Sequence, residues 1–320
     1  MADEIAKPNS EVRLITVDDG SHDRRLDNFL ISLLKNIPHS RIYNLIRTGQ
    51  VRVNGSRAKA KRRLEAGDIV RVPPVRMARE NRSVSLTKPL LDAVNSVIYE
   101  DDYLIAVDKP SGIAVHSGTN HKTAFIEAIR AVRGNNCYVE LVHRLDKETS
   151  GILILAKDKR FLRQLHRLWR RESLNGELTK TYTALLKGQL EGNSHVVRSA
   201  LVRRDSERLA SRDTSIPVAE SVFESVQKYN GCSLVHIELH TGKNHQARRH
   251  AAEIGCPIAG DRKYGDRNFN DKMKELGLKR LYLHASKIRL FHPVLENYVE
   301  FQSAVPSHLS DFLNTLTPEP

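Results

Sequence analysis

Between Leu26 and Leu33 the apolar residues Leu26, Phe29, Leu30 and Leu33 recur every three or four positions, the period of one buried helix face. Pro38 interrupts the pattern. Ser40, whose hydroxyl can accept from the free N–H groups at a helix start, is the expected N-cap of a second helix. That helix carries Ile42, Leu45 and Ile46, and Gly49 ends it. "VRVNG" (51–55) then reads as a strand entering a tight turn, and "DIVRV" (68–72) as another strand after "EAGD". Two helices and a small hairpin-like sheet are therefore expected in a first domain, residues 21–73. Residues 1–20 are polar and expected to be a flexible N-terminus, and the final "TLTPEP" likewise. Residues 74–95 mix prolines and arginines with weak periodicity and read as a linker.

From 96 to 315 strands and helices alternate without a regular βαβ rhythm. The strand candidates are "SVIYE", "LIAVDK", "GILILAK", "KTYTALLKG", "AESVFESVQKY" and "CSLVHIELH". Helices are expected over 123–132, 159–171 and 244–254. Long strands with few crossovers favour an α+β domain built on a mixed, mostly antiparallel sheet. In the 159–171 helix, Phe161, Leu165 and Leu168 form the core face, and Arg163, Arg167, Arg170 and Arg171 form a basic back expected to be solvated.

Charge sharpens the picture. The chain of 320 residues carries a net charge of +13, which suits a polyanionic partner. Arg41, Arg47, Arg52, Arg57, Lys59, Lys61, Arg62 and Arg63 fall in one span without a single acid. Basic residues spaced by apolar anchors can track a phosphate backbone. Three scattered cysteines form no Cys-x-x-Cys pair, so a reducing, cytoplasmic setting is expected. The first residues carry no apolar stretch, so a signal peptide is not expected, and no apolar run is long enough to span a membrane.

The familiar cofactor motifs are missing. There is no Gly-x-Gly-x-x-Gly after a strand, no phosphate-binding Walker loop and no nucleophile elbow. His240, His245 and His250 do not match a zinc spacing, and read better as polar residues near a helix start. That leaves "LVHRLDKETSG" (141–151), where Asp146 sits in a turn between Arg144 and Lys147. An Asp in a turn commonly caps backbone N–H groups. Flanking cations would also keep it ionised for chemistry. The residues by themselves leave both readings open.

Longer strings narrow the choice. "RRLDNFL", "IPHSRIYNLIRTGQVRVNG" and "LEAGDIVRV" resemble an S4 RNA-binding domain. The likeness implies that the second helix and the following turn, with the eight basic residues above, hold structured RNA. "HRLDKETSG" resembles the signature of the RluA-type pseudouridine synthases. "DKPSGIAVHSG", "KTYTALLKG", "TGKNHQARRH" and "AGDRKYGD" match further family motifs in order. The resemblance spans roughly residues 20–315 and is nearest to the ribosomal large-subunit (23S) enzymes of the RluC type.

That family isomerises uridine in RNA to pseudouridine without cofactor or metal. The resemblance places its essential aspartate on Asp146, its active-site tyrosine on Tyr182 and its active-site arginine on Arg248, expected to pair with Asp146. His143, Arg144, Thr149, Lys243 and His245 are expected to support the active-site loops. The implied partner is 23S ribosomal RNA or an assembling large subunit. With no obvious coiled coil or apolar surface stripe in the sequence, a monomer with no obligate protein partner is expected. One motif departs from the family pattern. Lys243, Asn244, Ala247 and Arg249 stand where Arg, Thr, an aliphatic residue and Val are usual. Ala247 is expected to remove core volume and Arg249 to put charge at an apolar position.

Overall fold

The computed structural model describes residues 11–34, 37, 39–75, 86–116, 123–134, 137–170, 178–190, 192–201 and 218–319. The expectations for residues 1–10, Pro38, 76–85 and Arg171 lie outside these. The chain forms two compact units, divided between Ser83 and Val84.

The first unit contains β1 (Arg13–Thr16), α1 (Leu26–Leu33), α2 (His39–Arg47), β2 (Arg52–Val53), β3 (Ser56–Arg57) and β4 (Ile69–Val72). Its sheet runs β1-β4-β2-β3, and every pairing is antiparallel. The apolar face predicted for α1 does enter the core, where Leu26 and Leu30 meet Ile42, Leu45, Val53, Leu64 and Val70. Two expectations need correction. Residues 13–16 are not loose but form an edge strand, with Leu14 opposite Arg71. Four residues with an exposed Leu14 give too short and too mixed a pattern to stand out. Ser40 is not an N-cap, because α2 already begins at His39.

The second unit contains α3 (Lys88–Asn95), β5 (Val97–Glu100), β6 (Leu104–Lys109), α4 (Phe125–Arg133), β7 (Glu140–Leu141), β8 (Ser150–Ala156), α5 (Lys159–Arg170), β9 (Leu178–Lys187), β10 (Ser194–Ser199), β11 (Ala219–Tyr229) and β12 (Cys232–Leu239). It continues with α6 (Gln246–Glu253), α7 (Arg267–Glu275), β13 (Leu283–His292), β14 (Asn297–Gln302) and α8 (Ser307–Leu313). Residues 88–95, read as linker from sequence, are therefore helix. Leu90, Ala93 and Val94 anchor it in the core beside Ile105 and Val107. The end of the chain is not loose either. Pro318 bridges Tyr229, and Glu319 N–H donates to the Lys228 carbonyl.

A ten-stranded sheet runs β10-β11-β12-β9-β13-β8-β6-β5, with β14 also on β13 and β7 also on β8. Among the described strands, β13 and β8 pair in parallel and the rest antiparallel. The central strand β8, "SGILILA", is buried on both faces, which explains its unbroken apolar run. Core clusters flank it: Phe125, Ile129 and Leu153 in one, Phe161, Leu165 and Ile154 in another. Four features of this sheet converge. The turn into β8, the middle of β9, the exit from β12 into α6, and the segment before β13 all reach the same place.

Candidate active site

The turn carrying Asp146 is closed by its own backbone and clasped from outside. Thr149 N–H donates to the Asp146 carbonyl at 3.2 Å. The residues following β6 hold the next two carbonyls. Gly112 N–H donates to Lys147 O at 2.7 Å, and Ser111 Oγ donates to Glu148 O at 2.7 Å. Lys109, fully buried, donates from Nζ to the carbonyls of Pro110 (2.8 Å), Ile113 (3.1 Å) and Lys147 (3.5 Å). Burial, and then Arg280, pull the Lys109 ammonium down to about 7. Three carbonyl acceptors nevertheless favour the charged form, since a neutral amine has only two N–H groups to give. On the far side Arg280 donates to Glu148 O (3.3 Å) and to Ser150 Oγ (2.8 Å).

His143 lies within this framework. Its Nε2 accepts from Ile154 N–H at 3.1 Å, and its ring stacks on Trp169 with centroids 5.2 Å apart. Burial, reinforced by Lys180, depresses the imidazole to about 3. It is a neutral structural acceptor, which suits its place at the start of the turn. Thr149 is buried and Arg144 exposed.

Asp146 itself is half-buried, with 26% of its side chain exposed. Arg248 Nη1 donates to Asp146 Oδ2 at 3.1 Å across 102 residues of sequence. His245 Nε2 stands 3.7 Å from the other oxygen, Oδ1. Arg248 projects from α6 and is nearly buried. The rest of its guanidinium is taken by Asp261, which accepts from Nε at 2.7 Å and from Nη2 at 2.8 Å. Asp261 also accepts from the N–H groups of Lys263 (2.9 Å) and Tyr264 (3.0 Å). Burial opposes the charge on Asp261, but Arg248 and these N–H groups outweigh it, so its carboxyl titrates below the ordinary value. Burial likewise opposes the charge on Arg248, and Asp261 reverses that.

Tyr182, in the middle of β9, is flanked by Ala285 and Ile237 on the neighbouring strands. Its ring packs against the core clusters on both sides, Phe125 with Ala285 and Ala184 with Leu239. Burial, and next the Asp146 charge, push its phenol well above the ordinary value, so the hydroxyl stays protonated. The structure thus brings Asp146, Arg248 and Tyr182 together. A carboxylate aimed by a guanidinium and walled by an aromatic ring can act as a nucleophile or a base on a flat ligand.

The other sequence candidates sort clearly. Lys243 N–H donates to Gln246 Oε1 at 3.0 Å, so its backbone helps start α6. His240 lies between Glu220 (2.8 Å) and Glu238 (3.0 Å), and buried His250 contacts Ser221 at 2.8 Å. The three histidines therefore do not share one environment, and His245 is more than a polar residue near a helix start. Ala247 is buried beside Leu239 and Ala251, while Arg249 is half-buried. Asp261, Tyr264, Lys109 and Arg280 went unassigned from sequence. "DKPSG" and "AGDRKYGD" carried three of them, but only the fold shows which atoms they meet.

In the first unit Arg41, Arg47, Arg52, Arg57, Lys59, Lys61 and Arg63 are exposed and Arg62 is half-buried. Arg63 is paired with Asp23 at 2.9 Å and Arg62 with Asp68 at 3.6 Å. The span without acids is thus flanked in space by acids from outside it.

A family model described as RNA pseudouridylate synthase matches residues 103–253, and an S4 domain model matches residues 24–70. A Haemophilus influenzae protein named ribosomal large subunit pseudouridine synthase C is 39% identical, over 96% of this chain and 96% of its own. A Vibrio cholerae protein of the same name is 38% identical, over 96% of this chain and 98% of its own. The chain belongs to the RNA pseudouridylate synthase family. As a member it is an isomerase, a pseudouridine synthase, whose N-terminal unit is an S4 domain. The solved structure titled Human RNA Pseudouridylate Synthase Domain Containing 4 is 25% identical, with a TM-score of 0.58, covering 72% of this chain and 96% of that one. Another, Human RNA Pseudouridylate Synthase Domain Containing 1, shares the fold at 22% identity and a TM-score of 0.55. Among the described residues no helix is long and apolar enough to cross a membrane.

Proposed function

We propose that this pseudouridine synthase modifies specific uridines of 23S ribosomal RNA, with Asp146 as the reacting carboxylate. The observation that carries the reading is the Asp146–Arg248 pair, a half-exposed carboxylate oriented by a nearly buried guanidinium beside the Tyr182 ring. Asp146 attacks the ribose C1′, or removes a ribose proton to give a glycal; either route uses the ionised carboxylate, which Arg248 orients through its 3.1 Å hydrogen bond. Tyr182 forms the wall against the uracil while the glycosidic bond is broken and the base turns. A base in a stem must first leave the stack, at a cost of a few kcal/mol, roughly. Backbone contacts made by the S4 unit offset that cost.

The relatives named for the large ribosomal subunit support the choice of target. The same relatives, all bacterial, support a cytoplasmic site of action, and the protein is taken to work as a monomer on free RNA or an assembling subunit. The test is Asp146→Asn, which keeps the size but removes the charge and turns one acceptor oxygen into a donor. Carbodiimide labelling and primer extension on 23S RNA should show no pseudouridine formed by the variant, while RNA affinity stays within about two-fold of wild type. Turnover near wild type would remove Asp146 from the reaction. Modified sites found in transfer RNA instead would overturn the target.

A further inference from the structure

Two residues of the segment between α6 and α7 act on Asp146 without touching it. We propose that Asp261 and Tyr264 are positioning residues for the Asp146 carboxylate, Asp261 by locking the guanidinium of Arg248 and Tyr264 by holding His245 in the tautomer that carries its proton on Nε2. The proposal rests on the reading of Asp146 as the reacting carboxylate.

The argument for Tyr264 is a proton count. An ionised carboxylate only accepts. His245 Nε2 faces Asp146 Oδ1 at 3.7 Å, so the favourable arrangement puts the imidazole proton on Nε2. Burial holds His245 below its ordinary value, with Arg248 and Lys263 also lowering it, although Asp146 and Asp261 pull the other way. A neutral imidazole has one N–H. Its Nδ1 then carries a lone pair, and the Tyr264 hydroxyl 3.2 Å away must be the donor. The two rings meet edge to face, with centroids 5.6 Å apart. His245 adopts a left-handed backbone, φ 55°, directly before α6. Such a conformation is uncommon for a residue with a Cβ and marks a place where surrounding contacts hold the chain.

The argument for Asp261 is one of occupied donors. It takes Nε and Nη2 of Arg248, which leaves Nη1 as the edge turned to Asp146. The same carboxylate accepts from Lys263 and Tyr264 N–H, so it also fixes the start of the turn that presents the Tyr264 ring. That turn has little freedom. Asn270 donates to Asp261 O at 2.9 Å and accepts from Gly260 N–H at 2.8 Å. A Cβ on Gly265 would stand 2.1 Å from Asp261 O. Each oxygen of Asp146 therefore faces one donor whose direction is set from behind. The carboxylate is oriented before RNA arrives, which is where a positioned group gains its rate advantage.

Tyr264→Phe tests this cleanly, because it keeps the ring against His245, Arg248 and Lys263 and removes only the hydroxyl. Displacing a positioned reacting group by up to about 1 Å costs roughly 10- to 100-fold in rate. We expect kcat on an RNA substrate to fall by that factor, with KM within about two-fold. Nitrogen-15 spectra of histidine-labelled protein supply the second readout, with His245 assigned by loss of its signals in His245→Gln. Wild type should show the proton on Nε2, and Tyr264→Phe a mixture of tautomers. Asp261→Asn should also lower kcat, and a thermal melt reports any loss of folding in that variant separately. Wild-type His245 with its proton on Nδ1 would overturn the proposal. So would Tyr264→Phe with kcat unchanged, or with the loss confined to KM. The spectra do not depend on turnover: an active Asp146→Asn would refute the proposed reaction and leave the tautomer result to be judged alone.

Discussion

Gly151 passes so close to Ala285 that a Cβ on it would stand 2.2 Å from the Ala285 carbonyl oxygen. Its φ of +110° belongs to the region that disfavours any side chain. The two residues are partners in the parallel pairing of β8 with β13. The glycine that ends the Asp146 turn is thus what allows β13 to lie against it. Gly151→Ala combines backbone strain with a backbone clash, and should cost about 3 kcal/mol or more. Urea denaturation would read this as a lowered midpoint. A variant unfolding like wild type would mean that β13 can move aside.

Ser150, one residue earlier, links β8 through one hydroxyl to β13 and to the segment just before it. His284 Nε2–H donates to Ser303 O at 3.0 Å, so its Nδ1 accepts from Ser150 Oγ at 2.9 Å. Arg280 Nη2 donates to the same oxygen at 2.8 Å. Ser150→Ala leaves a buried ring nitrogen and a guanidinium N–H without this partner. An expected loss of about 2–4 kcal/mol follows from stranding two such groups. Chemical denaturation measures it, and a loss under about 0.5 kcal/mol would show that water replaces the hydroxyl.

The recognisable parts were those with a local pattern. The two-sided apolar run of β8 and the helical stripe of α1 speak for themselves. α3 did not, because Pro89 and Lys88 at its start look like linker, and its apolar residues gain meaning only against β6. β13 and β14 were missed for another reason: polar His284, Ser286, Lys287, Arg289 and His292 break up the apolar pattern of the mostly buried β13, and β14 is mostly exposed. In the site, Asp146 stood out through a long motif. Asp261 could not, since a carboxylate thirteen residues after an arginine reveals nothing until the chain folds back on α6. The acids opposite Arg62 and Arg63 were hidden likewise, because Asp68 and Asp23 lie outside the basic span.

Acid should weaken the fold partly through His143. The unfolded chain protonates this residue near 6.5, but in the folded chain burial, with Lys180, delays protonation to about 3. Between those values the unfolded state binds more protons, so the stability is fully present above about pH 6.5 and is lost as pH falls toward 3. From pH 6.5 to 5 the loss should approach about 2 kcal/mol. His143→Gln, which can still accept from Ile154 N–H, should be less stable at pH 7 but lose less between pH 7 and 5. Denaturant midpoints at both pH values test this; parallel losses in the two proteins would assign the acid effect to carboxylates.

RNA affinity should depend unevenly on the eight basic residues of the first unit. Arg57, Lys59 and Lys61 are exposed, so their charge can meet phosphates. Arg63 is already paired with Asp23, and Arg62 with Asp68. Moving either onto a phosphate first breaks that pairing, which subtracts from the gain. Replacing Lys59 and Lys61 together by Gln should weaken binding across RNA sequences and lower the slope of log K against log salt by about 1–2, depending on how single-stranded the contacted RNA is. Replacing Arg62 and Arg63 by Gln should change the slope by less than about half as much. Filter binding of a 23S fragment across a salt series separates the two variants. Equal slopes would show that Asp23 and Asp68 release their partners when RNA binds, and that all eight cations act as one surface.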